Sequence, residues 1–196
     1  MENNILSLLT KEEKALLKVK TYSKNQVIFK EGSLCDSIGI LTSGKVEIVS
    51  YSFSGEDIVY NYLAKNQIFG NNLLFSSDPS YKGDVISRGE TTIVFILKED
   101  LIRLLSSNQK FLEAYLRVQS DFGKSLNSRI KLYSMNSAEE RFEYFLFLNK
   151  NEIEYHSITS LASQLNLKRE TLSRLISKLE KENAIKRSPH KIFKLD

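Results

Sequence analysis

The sequence of 196 residues is poor in the residue types that build covalent or metal-centred chemistry. It holds a single cysteine, Cys35. No intramolecular disulfide, four-cysteine zinc site or cysteine-ligated iron–sulfur cluster can therefore form within one chain. The two histidines, His156 and His190, both stand late in the sequence, which argues against a histidine-rich catalytic metal site. Two prolines leave no room for a Pro-rich linker. No apolar run approaches the roughly 18 residues a membrane-spanning helix needs. The opening residues MENNILSLLTKEEK lack the basic region, apolar core and small-residue cleavage site of a secretory signal. A reduced, cytoplasmic protein without a membrane partner is expected. The β-rich first half groups no nucleophile with a histidine, and neither Gly70-Asn71-Asn72 nor any other glycine run forms a P-loop. No catalytic residue or metal ligand is assigned, and an enzyme is not expected. The acidic pairs Glu12-Glu13 and Glu139-Glu140 read as helix-start charges favoured by the helix dipole.

What is present is a chain able to bury a core, 41% hydrophobic and 27% charged, with a net charge of +4. That charge is unevenly placed. Residues 166–196 hold nine lysines and arginines against four acidic residues, a net of +5, leaving about −1 for everything before them. The basic character, and with it any polyanionic partner, belongs to the C-terminal end.

Three texts follow one another. Thr10 and Glu13 form a capping box before Ala15, Leu16, Leu17 and Val19, which predicts a short opening helix. From 26 to 97 come the β-rich runs QVIFKE, SIGIL, KVEIVSY, DIVYNYL, DVIS and TTIVFIL, punctuated by glycines, with Ser43-Gly44 and Ser54-Gly55 as hairpin turns. This pattern predicts an antiparallel sandwich or barrel. A short helix is expected from Asp100 to Leu105, then a longer one from about Lys110 to Tyr133. The second carries one apolar stripe and would be about 36 Å long. The stripe, with Leu112, Tyr115, Phe122 and Leu126 in it, either pairs with its copy in a second subunit or packs wholly on its own barrel. The third text opens at Ser137 and Glu140, a second capping box, with the helix AEERFEYFLFLNK. Ser157 caps a helix ending near Leu165, Asn166 makes the turn, RETLSRLISKLEKEN forms the next helix, and two short strands flank Ser188-Pro189-His190. Helix, turn, helix and basic hairpin form the winged helix-turn-helix pattern.

In this pattern Leu161, Ala162, Leu165, Leu167, Leu172, Leu175, Ile176 and Leu179 are core. The opposite face of the second helix carries Lys168, Arg169, Glu170, Thr171, Ser173, Arg174, Ser177 and Lys178. A recognition helix pushes such an N-terminal end into the major groove. Arginine pairs bidentately with guanine and glutamate accepts from cytosine N4, while the Thr171 and Ser173 hydroxyls reach phosphates or base edges. The competing reading is a solvated face with Glu170–Arg174 as an ion pair four residues apart. Lys186, Arg187, His190 and Lys191 in the wing suit phosphate contacts, and Ser157 and Thr159 at the start of the first helix join the DNA-facing set.

The motif LASQLNLKRETLSRLISKLEKENAI resembles the helix-turn-helix of the CRP/FNR family of bacterial transcription regulators. YSKNQVIFKEG, IGILTSGKVEI, QIFG and IVFILKEDLIRLL are similar to that family's effector domain. The resemblance covers nearly the whole chain and implies an α+β architecture. It would comprise a cyclic-nucleotide-binding-like β-roll over 1–107, a dimerisation helix over 108–134 and a winged helix-turn-helix over 135–196. It implies a homodimer on double-stranded DNA, with Arg169, Glu170, Arg174 and Ser173 reading a half-site of the TGTGA kind in a palindrome, and RNA polymerase as a further partner. Family members that bind cyclic nucleotides carry Gly-Glu before a short helix and Arg-Ser or Arg-Thr after it. Here the first pair is Gly70-Asn71, followed by Asn72 and Leu73, and Tyr81-Lys82 stands where the second would fall. Asn71 is uncharged and Lys82 offers only a point charge. Cyclic AMP or GMP is therefore not the expected effector, no cofactor is assigned, and the pocket holds another ligand or none. The iron–sulfur and haem branches of the family are excluded by a lone cysteine and by the lack of histidine before residue 135. Cys35 reads as a small buried residue, with a thiol switch as the alternative. A protein-interaction or ligand-binding module with only weak, nonspecific DNA binding is the competing function.

Overall fold

The computed structural model describes residues 4–51, 57–155 and 157–195. The chain divides into two compact units, Met1–Phe122 and Gly123–Asp196. Among the described residues no helix is long and apolar enough to cross a membrane.

The first unit opens with a 3-10 turn, Ile5–Leu8, then α1 (Lys11–Lys14) and β1 (Lys18–Tyr22). The capping box forms in both directions: Glu13 N–H donates to Thr10 Oγ1 at 3.2 Å, and Thr10 N–H donates to Glu13 Oε2 at 2.8 Å. The helix nevertheless stops after four residues, and Val19 is not on its face. Leu16 and Leu17 are already packed against the core, so a further turn would bury nothing. The segment Lys18–Tyr22 instead pairs antiparallel with residues 91–95, and Val19 is left 63% exposed on this edge strand.

The remaining strands are β2 (Val27–Phe29), β3 (Ser37–Ser43), β4 (Val46–Tyr51), β5 (Asp57–Leu63), β6 (Ile68–Phe69), β7 (Asp84–Ser87) and β8 (Thr91–Leu97). They form two four-stranded antiparallel sheets, ordered β1-β8-β3-β6 and β2-β7-β4-β5. In β4 both Val46 and Val49 are buried, although an odd spacing should put them on opposite faces. A bulge between Ile48 and Val49 shifts the phase. Ser43-Gly44 is a turn, as expected, but not a hairpin: β3 and β4 belong to different sheets. Gly44 has φ +82°, and a Cβ there would lie 2.4–2.6 Å from Thr91 and the Glu90 carbonyl. The buried Thr91 hydroxyl holds this crossover by donating to the Lys45 carbonyl at 3.1 Å. The expected Ser54-Gly55 turn lies outside the described residues, as does His156.

The helix α2 (Lys98–Ser107) follows β8 directly, and α3 spans Gln109–Tyr133. Asn108 joins them. Its Oδ1 accepts from Phe111 N–H at 3.0 Å, while its amide donates to the Leu8 carbonyl and to Glu13. Phe111 and Tyr115 then enter the core of the first unit. Buried side chains of this size contribute about 1.5–3 kcal/mol each.

The second unit contains α4 (Ala138–Leu148), β9 (Glu152–Glu154), α5 (Ile158–Gln164), α6 (Arg169–Lys181), β10 (Ile185–Ser188) and β11 (Lys191–Lys194). Its core gathers Phe142, Leu146, Leu161, Leu165, Leu172 and Ile176 with Ile153, Ile185 and Ile192 from a three-stranded sheet ordered β10-β11-β9. Ser137 caps α4 by accepting from Glu140 N–H. Glu140, however, returns to the Asn136 N–H at 3.2 Å, one residue earlier than a capping box requires. All three helices end in the same way. Lys150, Asn166 and Asn183 adopt φ of 55°, 52° and 57°. The next N–H reaches back across the last turn, from Asn151 to Leu146, Leu167 to Ala162 and Ala184 to Leu179, at 2.8–3.0 Å. These are Schellman motifs built without glycine.

Candidate nucleic-acid interface and effector region

The α5–α6 turn is defined by its core. Leu161, Ala162 and Leu165 are buried on α5, and Leu172, Leu175 and Ile176 on α6. The left-handed Asn166 lets the chain reverse between them. Ser157 caps α5 by accepting from Ser160 N–H at 3.0 Å, so its hydroxyl has a structural partner; Thr159 beside it is exposed.

The outward face of α6 presents Lys168, Arg169, Glu170, Thr171, Ser173 and Arg174, all exposed. None of its charged groups makes an ion pair among the described residues, and Glu170 and Arg174 do not pair despite their spacing of four. Lys178, one turn further on, is paired with Glu139 of α4 at 2.7 Å, which raises its pKa. In the wing Lys186 is exposed and makes no ion pair among the described residues, whereas Arg187 lies 3.6 Å from Glu180. Lys191 lies between Glu152 at 2.8 Å and Glu154 at 2.6 Å, and these carboxylates hold its pKa above the usual lysine range. The predicted set thus splits. Lys168, Arg169, Arg174 and Lys186 are uncommitted cations, and Lys178, Arg187 and Lys191 brace the module. His190 sits at the wing tip with φ +61°, its Nδ1 3.2 Å from the Tyr155 carbonyl.

Sequence reasoning missed Arg141. From α4 its guanidinium donates to the carbonyls of Met135 at 3.1 Å, Tyr133 at 3.3 Å and Asn166 at 2.9 Å. It ties the end of α3 to the turn of the helix-turn-helix. One arginine in a helix has no periodicity to betray this role.

The effector residues come together only in part. Gly70, Asn71, Asn72 and Leu73 follow β6. Asn71 is 4% exposed, and Asn72 is exposed. The Asn71 amide donates to Gln119 Oε1 of α3 at 2.6 Å, and Gln119 Nε2 returns to the Asn71 carbonyl at 2.9 Å. Tyr81 is buried and stacks on Phe29 with ring centroids 4.5 Å apart; Phe29, Phe69 and Phe95 pack edge-to-face with one another. The Tyr81 hydroxyl is buried without a hydrogen-bond partner of ordinary geometry among the described residues and lies beside the Cys35 thiol. Burial, and then the neighbouring thiol, push its pKa up. Lys82 is exposed and paired with Asp78. A cyclic nucleotide needs a cation for its phosphate and an open cradle. Here the Lys82 cation is engaged on the surface by Asp78, the Asn71 amide is engaged with Gln119 of α3, and the Tyr81 ring is stacked on Phe29.

Along α3 Tyr115 departs from the expected exposed seam: it is 4% exposed and belongs to the roll's core. Leu112 and Phe122 are half-buried. The exposed apolar residues are Leu116 (54%), Leu126 (43%), Ile130 (64%) and Tyr133 (42%).

The β-roll and the winged module each have a counterpart among known families. The cyclic nucleotide-binding domain matches residues 19–108, and the MarR family matches residues 151–191. A β-roll of this kind joined through a long helix to a winged helix-turn-helix defines the class. Relatives include the anaerobic regulatory protein of Pasteurella multocida, 25% identical over 175 residues, which cover 83% of this chain and 63% of that protein. The cyclic AMP receptor protein of Thermus thermophilus is 21% identical, covering 87% of this chain and 80% of that one. The chain thus spans under two thirds of the length of the Pasteurella regulator. In fold it is similar to a CooA mutant from Carboxydothermus hydrogenoformans, with a TM-score of 0.82 at 16% identity over 100% of this chain and 93% of that one. FixK2 from Bradyrhizobium japonicum gives a TM-score of 0.71 at 15% identity, covering 92% and 93%. In domain content and in fold the chain is thus similar to regulators of the CRP/FNR type.

Proposed function

We propose that this chain is a sequence-specific DNA-binding transcription regulator. It acts as a homodimer on a palindromic duplex and is not controlled by cyclic AMP. The observation that carries this reading is the N-terminal face of α6, where Lys168, Arg169 and Arg174 stand exposed without ion pairs while the lysine one turn later is braced by Glu139. Arg169 and Arg174 are the base-reading arginines, Glu170 and Ser173 their neighbours on the base edges, and Lys168, Thr171 and Lys186 the phosphate contacts. Ser157 and Thr159 approach the backbone at the start of α5. Lys178, Arg187 and Lys191 reach phosphate only by exchanging a carboxylate partner, so they add little affinity. Residues 108–134 form the dimer helix through Leu116, Leu126, Ile130 and Tyr133, with Leu112 and Phe122 flanking. These exposed positions recur at intervals built from three and four residues, the spacing of a helix–helix seam. RNA polymerase in the cytoplasm is the partner a regulator of this kind needs to act.

Selection of duplexes from a random pool with the full chain, followed by sedimentation of the complex, tests the reading. Enrichment of two inverted half-sites about 10 base pairs apart, bound by two chains, is the expected result. A pool that stays unenriched, with weak binding to every duplex, favours a protein-docking module instead.

A further inference from the structure

The turn after β6 carries a buried polar group whose partner lies on the long helix. Asn71 is 4% exposed, and a primary amide buried without partners is strongly unfavourable. Its demand is met by Gln119. The Asn71 side-chain amide donates to Gln119 Oε1 at 2.6 Å, and Gln119 Nε2 donates to the backbone carbonyl of Asn71 at 2.9 Å and to the Tyr115 hydroxyl at 3.1 Å. On its other side the same turn is fixed to β3. Gly70 adopts φ +78°, where a Cβ would lie 2.9 Å from the Ser37 carbonyl and 3.2 Å from Cys35 Sγ. The Leu73 and Leu74 N–H groups close the turn onto the Gly70 carbonyl at 3.0 and 2.9 Å. The turn is thus a rigid link whose two ends are the sheet core and α3. Gln119 lies three residues after Leu116 and seven before Leu126, within the spacing of the exposed seam. Its half-buried amide is turned to Asn71, which removes the polar group from that seam.

We infer that the Asn71–Gln119 pair is a built-in clamp that holds the first half of α3 on the β-roll without any small molecule, making DNA binding by this chain effector-independent. The DNA part rests on the function proposed above; the clamp itself does not. Residues that would have to turn toward an anionic nucleotide are already engaged: Asn71 with α3, Lys82 with Asp78, and Tyr81 in the stack with Phe29.

The test uses the full chain and the variants Asn71→Ala, Gln119→Met and their double. Hydrogen exchange over residues 112–122 is measured without DNA. Affinity for a selected palindromic duplex is measured with and without 1 mM cyclic AMP or cyclic GMP. Wild type is expected to bind the duplex within twofold whether or not a nucleotide is present. Each single variant is expected to exchange about tenfold faster in α3 and to bind about tenfold more weakly, and the double to be no worse than Gln119→Met alone, because the bond that Asn71→Ala removes is already lost in Gln119→Met. Unchanged exchange in both single variants overturns the clamp. A more than tenfold gain in wild-type affinity on adding either nucleotide overturns effector independence. If Gln119→Met fails to fold, Asn71→Ala decides alone. If wild type selects no duplex, the proposed function fails while the exchange comparison still decides the clamp.

Discussion

Replacing Arg141 by methionine isolates the contribution of its guanidinium, because methionine keeps an unbranched apolar stem. The wild-type side chain donates to three carbonyls: Tyr133 and Met135 at the end of α3, and Asn166 in the α5–α6 turn. A hydrogen bond from a charged donor contributes about 1.5–3 kcal/mol when shielded. Two of the three here are exposed, so water takes over much of their role once the guanidinium is gone. The expected loss is therefore about 2–3 kcal/mol for the second unit, well short of three shielded bonds. With no tryptophan and nine tyrosines, urea unfolding is followed by tyrosine fluorescence and far-UV circular dichroism. A slope of about 1–2 kcal/mol per molar urea places the midpoint roughly 1–3 M lower for Arg141→Met. Exchange of the Leu167 amide, which bonds to the Ala162 carbonyl at 2.9 Å, should accelerate with it. A midpoint and a Leu167 exchange rate equal to wild type would refute the reasoning, showing that the turn stands on its Schellman motif and core alone.

Three further outcomes follow from packing and backbone geometry. Gly39→Ala should destabilise the β-roll by about 1–3 kcal/mol in thermal unfolding, because its Cβ would fall 2.2 Å from the Phe69 ring. Lys150→Gly should stabilise the second unit by up to about 1 kcal/mol in urea unfolding, since a lysine at φ 55° carries a steric cost that glycine does not. Cys35 is 2% exposed and burial raises its thiol pKa, so alkylation by iodoacetamide at pH 8 should be slow in the native chain and fast in denaturant. Rapid native labelling would reopen the thiol-switch reading.

Much of this structure was legible where a signal is local. DVIS and TTIVFIL match β7 and β8 residue for residue, since alternating or continuous apolar runs bounded by turn residues define strands without further context. The capping residues Thr10, Ser137 and Ser157 all accept the expected N–H, and Asn166 takes the positive φ the turn demands. What escaped depends on partners distant in sequence. In β1 the segment KVKTY has a strand's alternation, but it follows a true helix start, and only pairing with β8 decides between the two. The strands β6 and β9, of two and three residues, carry too little pattern to read. Tyr115 and Leu116 are adjacent in one apolar stripe, yet the first is core and the second exposed. The stripe's period does not say which edge meets the roll. Likewise the charges of the wing were visible, but the pairing of Lys191 with Glu152 and Glu154 follows from the β11–β9 register.

The most direct test of the central claim is fluorescence anisotropy of the full chain on its selected palindromic duplex and on a scrambled duplex of equal length, for wild type and Arg169→Ala, at one fixed salt concentration. The account predicts that wild type prefers the palindrome. It also predicts that Arg169→Ala loses about 1–3 kcal/mol of that discrimination, concentrated at one symmetry-related base pair, with the chain's oligomeric mass unchanged. An Arg169→Ala variant that binds as tightly as wild type, with the same sequence preference, would contradict it.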